Sequence, residues 1–249
     1  MSTMNERQFV ILRQGAAVWN AWRKKHPHAY IDFSDAQLIE VDLQACHLQR
    51  ANFQRALLQA CNLRSVRLDR ADLSDMSAID CLFQQASFVG ANLCNADLSH
   101  ADLQHTQWKK SWLWGANLHR ANLHGACFRG AMLDYVDLRH ANLRGVSFRH
   151  ASLRAARCNQ TNMREVNLSA AHLEYAHLEE ACLLKSNLKG AHLSHASLID
   201  VDLRESQLYH ADFRATDLRA ADLRGTNWKY TRHQGALLTG AMLESFAFR

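Results

Sequence analysis

A chain of 249 residues with a single proline, seven cysteines and a formal charge of +5 is long enough for two ordinary globular domains. It holds no apolar run able to span a bilayer and no charged-then-apolar leader at Met1, so a cytoplasmic protein is expected. Residues 1 to 30 carry five Lys/Arg against one Glu and supply nearly all of the net charge; the remaining 24 basic and 23 acidic residues almost cancel.

The first element in chain order is helical. Phe9, Leu12, Ala16, Trp19 and Trp22 recur every three or four residues, which predicts one amphipathic helix ended by Pro27. Residues 1–30 are expected to form a cap over whatever follows.

From Phe33 to Phe248 the chain changes period. Every fifth position, denoted i, is a core residue across 44 uninterrupted pentapeptides: Leu at 30 places and Phe at eight, with Ala78, Trp108, Cys158, Met163, Trp228 and His233 as the departures. At i−2 the residue is Ala at 24 of these places and otherwise mostly small. A five-residue step turns an α-helix by about 500°, which scatters the leucines around its circumference. An odd step on a flat strand sends them to alternate faces. The two-residue spacing from i−2 to i instead puts both side chains on one side of a short extended segment, and a corner at i+1 and i+2 turns the chain before the next unit. A chain that turns at each repeat and climbs as it turns is a solenoid.

Sorting the core positions by a step of 20 residues gathers Phe88, Trp108, Phe128, Phe148, Trp228 and Phe248 into one column, which supports four repeats per coil and eleven coils in all. Units such as ADLSHADLQ (96–104) and ANLHRANLHGACF (116–128) resemble the A(D/N)LXX unit of the pentapeptide-repeat family over residues 31–249. That resemblance implies an all-β solenoid, a right-handed quadrilateral β-helix, at about 4.8 Å per coil a rod on the order of 50 Å long. The segment AVWNAWRKKHPHAYIDFSDAQL is similar to the leader of many bacterial members, which implies a bacterial protein.

A straight rod offers no obvious cleft, so no enzyme activity and no cofactor are expected. His172 and His192 would stack at i−1 beside Asp212 and His195, but the spacing specifies no complete ligand set and no metal site is assigned. Cys46, Cys61 and Cys81 fall at inward i−2 sites and Cys158 at a core site, as small apolar fillers. Asp or Asn occupies i−1 at 20 of the 44 repeats, where a short polar side chain can bond to turn backbone.

Charge distribution is the informative remainder. The side built on the aromatic column carries Arg50, Arg67, Arg70, Lys109, Lys110, Arg129, Arg149, Lys189, Lys229 and Arg249 against Asp69 alone. Arg50, Arg70, Lys109, Lys110, Arg129, Arg149, Lys189 and Lys229 are therefore the candidate binding face, for an acidic protein partner or for nucleic acid. Phe246 and Phe248, large residues on the last coil, are the candidate end for a homodimer. Two further readings come from the resemblance alone: a DNA mimic that binds DNA gyrase and protects it from toxins or quinolones, and a secretion-associated or effector protein. The first needs a strongly negative surface, which the near-neutral rod does not supply.

Overall fold

The computed structural model describes residues 6–243, so Phe246, Phe248 and Arg249 lie outside the described residues. From Asp32 onward each i−1 residue pairs in parallel with the residue 20 positions later, from Asp32↔Asn52 to Asp222↔Met242. At Gln37 this pairing widens into two three-residue strands, β1 (Gln37–Ile39) and β2 (Leu57–Gln59). The coil is thus 20 residues, four pentapeptides. A typical rung has three backbone bonds: at one, the Leu48 N–H donates to Arg67 (2.8 Å), Arg50 to Asp69 (3.0 Å) and Arg67 back to Cys46 (3.0 Å).

The corners explain why the extended pieces stay so short. At every i+2 position from Asp35 to Gly240 φ is positive, and the next i−2 N–H closes the turn on the carbonyl of i, as Ala51 does on Leu48 at 3.1 Å. Most of these corner residues are not glycine, so each carries a left-handed penalty of roughly 1–2 kcal/mol. The turn bond and the rung bond made by the same i+2 N–H offset it. The Asp and Asn residues at i−1 add a side-chain bond to each turn: Asp42 accepts the Gln44 N–H at 3.0 Å and Asn117 that of His119 at 3.0 Å. Asn amides also reach the coil before, Asn52 to Asp32 (3.0 Å) and Asn142 to Asn122 (3.0 Å).

Inside, the i and i−2 side chains fill the axis. Leu138 is fully buried between the Leu118 and Cys158 rungs. The aromatic column stacks face to face, Phe88 on Trp108 at 4.0 Å, Trp108 on Phe128 at 5.1 Å and Phe128 on Phe148 at 5.1 Å. Where i−2 is polar, its hydroxyl finds an acceptor: Thr106 donates to Leu103 (2.6 Å) and accepts the buried Trp108 indole N–H (2.7 Å).

The single N-terminal helix expected from the periodicity is instead two, α1 (Glu6–Leu12) and α2 (Ala16–Lys25). Gly15 breaks them with φ +91°, a conformation that disfavours any side chain, while its carbonyl accepts the Trp19 N–H that starts α2. The apolar period continues across the break because Leu12 and Trp19 bury against the same first coil. α2 also stands in for a missing rung. Asn20 accepts the His47 N–H (2.7 Å), Trp19 donates to the His47 carbonyl (2.9 Å) and Arg23 to the Gln49 carbonyl (3.3 Å), the groups that a preceding coil would have paired. No described helix is long and apolar enough to cross a membrane.

Candidate interaction face

The coil geometry places the predicted cations on one side. Lys109, Arg129, Arg149, Lys189 and Lys229 occupy i+1, and Arg50, Arg70 and Lys110 occupy the i+2 corner of the same side; all eight are exposed. The Lys109, Arg129 and Arg149 carbonyls accept from Gly90 (2.9 Å), Lys110 (3.2 Å) and Gly130 (3.0 Å), which fixes three cationic side chains on successive rungs. Among the described residues none of the eight enters an ion pair, although Lys229 lies over the Tyr230 ring at 5.1 Å. Arg67 and Asp69, on the same side, approach to 3.8 Å. Open depressions run beside the N-terminal members, one lined by Asn20, Arg23, Lys24, His47 and Arg50, the next by Arg50, Asp69, Arg70 and Ser87.

On the other sides most arginines are tied up, although Arg64, Arg120, Arg164 and Arg232 enter no ion pair among the described residues. Where Asp stands at i−1 and Arg at i+1 of one repeat, the guanidinium folds back across the core residue onto the carboxylate. Arg204–Asp202 (2.9 Å), Arg214–Asp212 (2.7 Å), Arg219–Asp217 (2.7 Å) and Arg224–Asp222 (2.6 Å) all take this form, and Arg139–Asp137 is a fifth. The hydrogen bond from the paired guanidinium holds the Asp202, Asp212, Asp217 and Asp222 carboxyls below their usual range. The Asp-X-Arg triplet is the sequence signal for these clamps; totalling charge by side conceals it, because both partners lie on one side.

The histidine expectation changes in its membership. His172 and His192 do stack, at 4.7 Å and 8°, but Glu174 joins them, with the three donor atoms within 4.8 Å of one another. Asp212 is clamped by Arg214, and His195 stacks on Tyr175 at 5.1 Å. Arg154 already fills the position a cation would take, 3.3 Å from Glu174 Oε2 and 3.2 Å from His172 Nδ1. His233, though at a core position, is exposed and lies 3.3 Å from the Thr231 hydroxyl. The cysteines are free thiols, and burial pushes Cys46 and Cys158 up to about 12.

One surface feature escaped the sequence reading. Trp112, Trp114, Met132 and Tyr135 point outward on two adjacent coils, each more than half exposed. The sorting of aromatics by core column passed over them because none stands at i.

The pentapeptide-repeats family model matches eight copies within residues 36–225. Similar solved structures include HetL, a pentapeptide repeat protein involved in heterocyst differentiation regulation in the cyanobacterium Nostoc, at 29% identity over 88% of this chain and 95% of that one, TM-score 0.36. QnrB1, a plasmid-mediated fluoroquinolone resistance protein, is 21% identical over 84% and 92%, TM-score 0.38. A pentapeptide repeat protein of the Arabidopsis thaliana thylakoid lumen is 25% identical over 50% and 66%, TM-score 0.18. No curated protein matches the sequence.

Proposed function

Since the chain belongs to the pentapeptide-repeat family, we propose that it is a non-enzymatic interaction rod, a right-handed four-sided helix of eleven coils under an N-terminal helical cap, that binds an acidic protein surface through its basic side. The observation that carries this reading is the contrast in pairing. Eight exposed cations on one side have no ionic partner among the described residues, whereas five arginines on the other sides close onto an aspartate two residues away. Like charges on rungs about 4.8 Å apart repel, and an anionic partner relieves that repulsion. The clamps also quench carboxylates that a DNA-like negative surface would have to present, which favours this reading over mimicry of DNA.

The test is capture from native cells with wild type and a Lys109→Glu/Arg129→Glu/Arg149→Glu variant in parallel. All three side chains face water, so the melting temperature should hold while specific capture is lost. Equal capture by both proteins refutes the reading.

A further inference from the structure

The outward aromatic cluster ends a rule that governs the four preceding rungs on its side of the rod. Below it, i−1 holds Asp32, Asn52, Asp72 and Asn92, and these side chains bond to their own turns and to one another, Asn92 to Asp72 at 3.1 Å and to the Cys94 N–H at 3.2 Å. At the next rung this ladder stops at Trp112, then Met132 follows. Trp112 has no oxygen to accept the Trp114 N–H, so this turn lacks the bond its predecessors have. What replaces it is exposed apolar surface: Trp112 56%, Trp114 53%, Met132 51% and Tyr135 59%. Trp114 and Tyr135 meet edge to face at 5.7 Å, so they hold each other's orientation while their outer surfaces stay open. Half-exposed rings of this size together present on the order of 400 Å² of surface, the scale at which a patch on a single chain is often functional. A local rule broken without a structural gain marks a site kept for another purpose.

The position of the cluster supplies the second half of the argument. Lys109 and Lys110 precede Trp112 by three and two residues, directly across one corner of the coil, and Arg129 with Arg149 continue that cationic edge on the next rungs. The one carboxylate within the cluster, Asp134, is turned to the following coil, where it accepts from the Ser152 hydroxyl and from the Arg154 N–H (3.0 Å). The outcome is an exposed apolar anchor bordered by cations that enter no ion pair among the described residues. Flat surfaces with Trp, Tyr and Met at the centre and charge at the rim are the composition of protein interfaces.

We propose that the partner is an acidic protein segment that seats an apolar side chain among Trp112, Trp114, Met132 and Tyr135 and sets carboxylates against Lys109, Lys110, Arg129 and Arg149. This rests on the basic-face reading and adds the anchor that gives it specificity.

The experiment selects a random peptide library displayed on phage against the full chain, then measures the enriched peptides by fluorescence anisotropy. Selection is expected to yield peptides combining Asp or Glu with an aromatic or aliphatic residue. Trp112→Asn/Trp114→Ser, which restores the residue types of the rungs below, should weaken them by about tenfold or more without lowering the melting temperature. Lys109→Glu/Arg129→Glu/Arg149→Glu should do the same and steepen with dilution of salt. If acidic peptides bind and only the cation variant weakens them, the aromatic anchor is overturned and the basic-face reading stands. If neither variant matters, or the peptides are not acidic, both are overturned. If an oligothymidylate or anionic phosphatidylglycerol vesicles bind with the same tryptophan dependence and no peptide does, the site is real but the protein occupant is overturned.

Discussion

Arg149 and Arg219 occupy the same i+1 position of the repeat, yet one is a free cation on the open side and the other is locked 2.7 Å from a carboxylate. The difference lies two residues earlier. Arg219 follows Asp217, whereas Arg129 and Arg149 follow Cys127 and Ser147, which offer no carboxylate to pair with the guanidinium. Residues i−1 and i+1 straddle one inward side chain and emerge on the same outer side, so the repeat carries a built-in pairing site whose state depends on a single residue. At Lys109, Arg129 and Arg149 that site holds no carboxylate, so the basic side is open there because of the residue at i−1 and not only because it is rich in Lys and Arg.

Both regions depend on the shared column, and damage there should erase the comparison altogether. Leu138→Asp removes a burial worth about 1.5–3 kcal/mol and leaves a carboxylate in an apolar axis with no partner. Cooperative melting by circular dichroism should be lost or shifted far down. Arg139→Asp, on the outside of the neighbouring position, should cost far less, and a normal melt for Leu138→Asp would contradict the placement of that column.

The next effect concerns binding rather than folding. Cys127→Asp/Ser147→Asp supplies the missing carboxylates and should convert Arg129 and Arg149 into clamps like Arg219. Capture of an acidic partner is expected to fall several-fold while the melting temperature holds, since exposed pairs add little stability. The converse change, Asp222→Ser, frees Arg224 away from the basic side and should gain no partner. Retained capture by the double variant would mean that unpaired charge is not what the partner reads.

The scaffold was legible in the sequence because its determinants are periodic. The step of five fixes which side chains enter the axis, and aromatic register at 20 fixes the coil, down to the stacking of Phe88, Trp108, Phe128 and Phe148. Features set by a single residue were harder to read. Gly15 divides the N-terminal helix although the apolar period runs through it, since helices on either side of a break can bury against one surface. Asp217 and Arg219 read as scattered charges until the turn shows that i−1 and i+1 touch. Trp112 and Trp114 stand at i−1 and i+1, outside the core columns by which the aromatics sort; the Asp–Asn ladder that ends at Trp112 is what sets them apart.

Acid should separate the two regions further. The folded-state pKa values of Asp202, Asp212, Asp217 and Asp222 lie below their unfolded values, so the stability they contribute is present above about pH 4 and is lost as pH falls through the folded pKa. Asp212→Asn/Asp217→Asn/Asp222→Asn keeps an oxygen for each turn N–H but removes the titration. Its melting temperature should start slightly below wild type at neutral pH and change less than wild type below pH 4, the difference being small because the pairs are largely solvated. Parallel curves for the two proteins would show that the clamps do not persist in solution.

The smallest expected effect reads the potential of the basic side without any partner. Cys127 and Cys182 share the i−1 position and are both partly buried, as is Cys94 at i+1. Cys127 lies on the Arg129 side, whereas Cys182 sits between Arg164, 3.2 Å away, and the Asp202 carboxylate, 3.7 Å away. An anionic thiol reagent is concentrated near unpaired cations and a neutral one is not, so their rate ratio at each cysteine, located by mass spectrometry, reports local potential. The ratio should be highest at Cys127, fall towards the Cys94 and Cys182 values as salt is raised, and fall further in Lys109→Glu/Arg129→Glu/Arg149→Glu. Cys46, Cys61, Cys81 and Cys158, being buried, should react with neither reagent until the chain unfolds. A ratio at Cys127 no greater than at Cys94 would mean that solvent and neighbouring dipoles cancel the cationic ladder, and that an acidic partner would find nothing there to distinguish this side from the others.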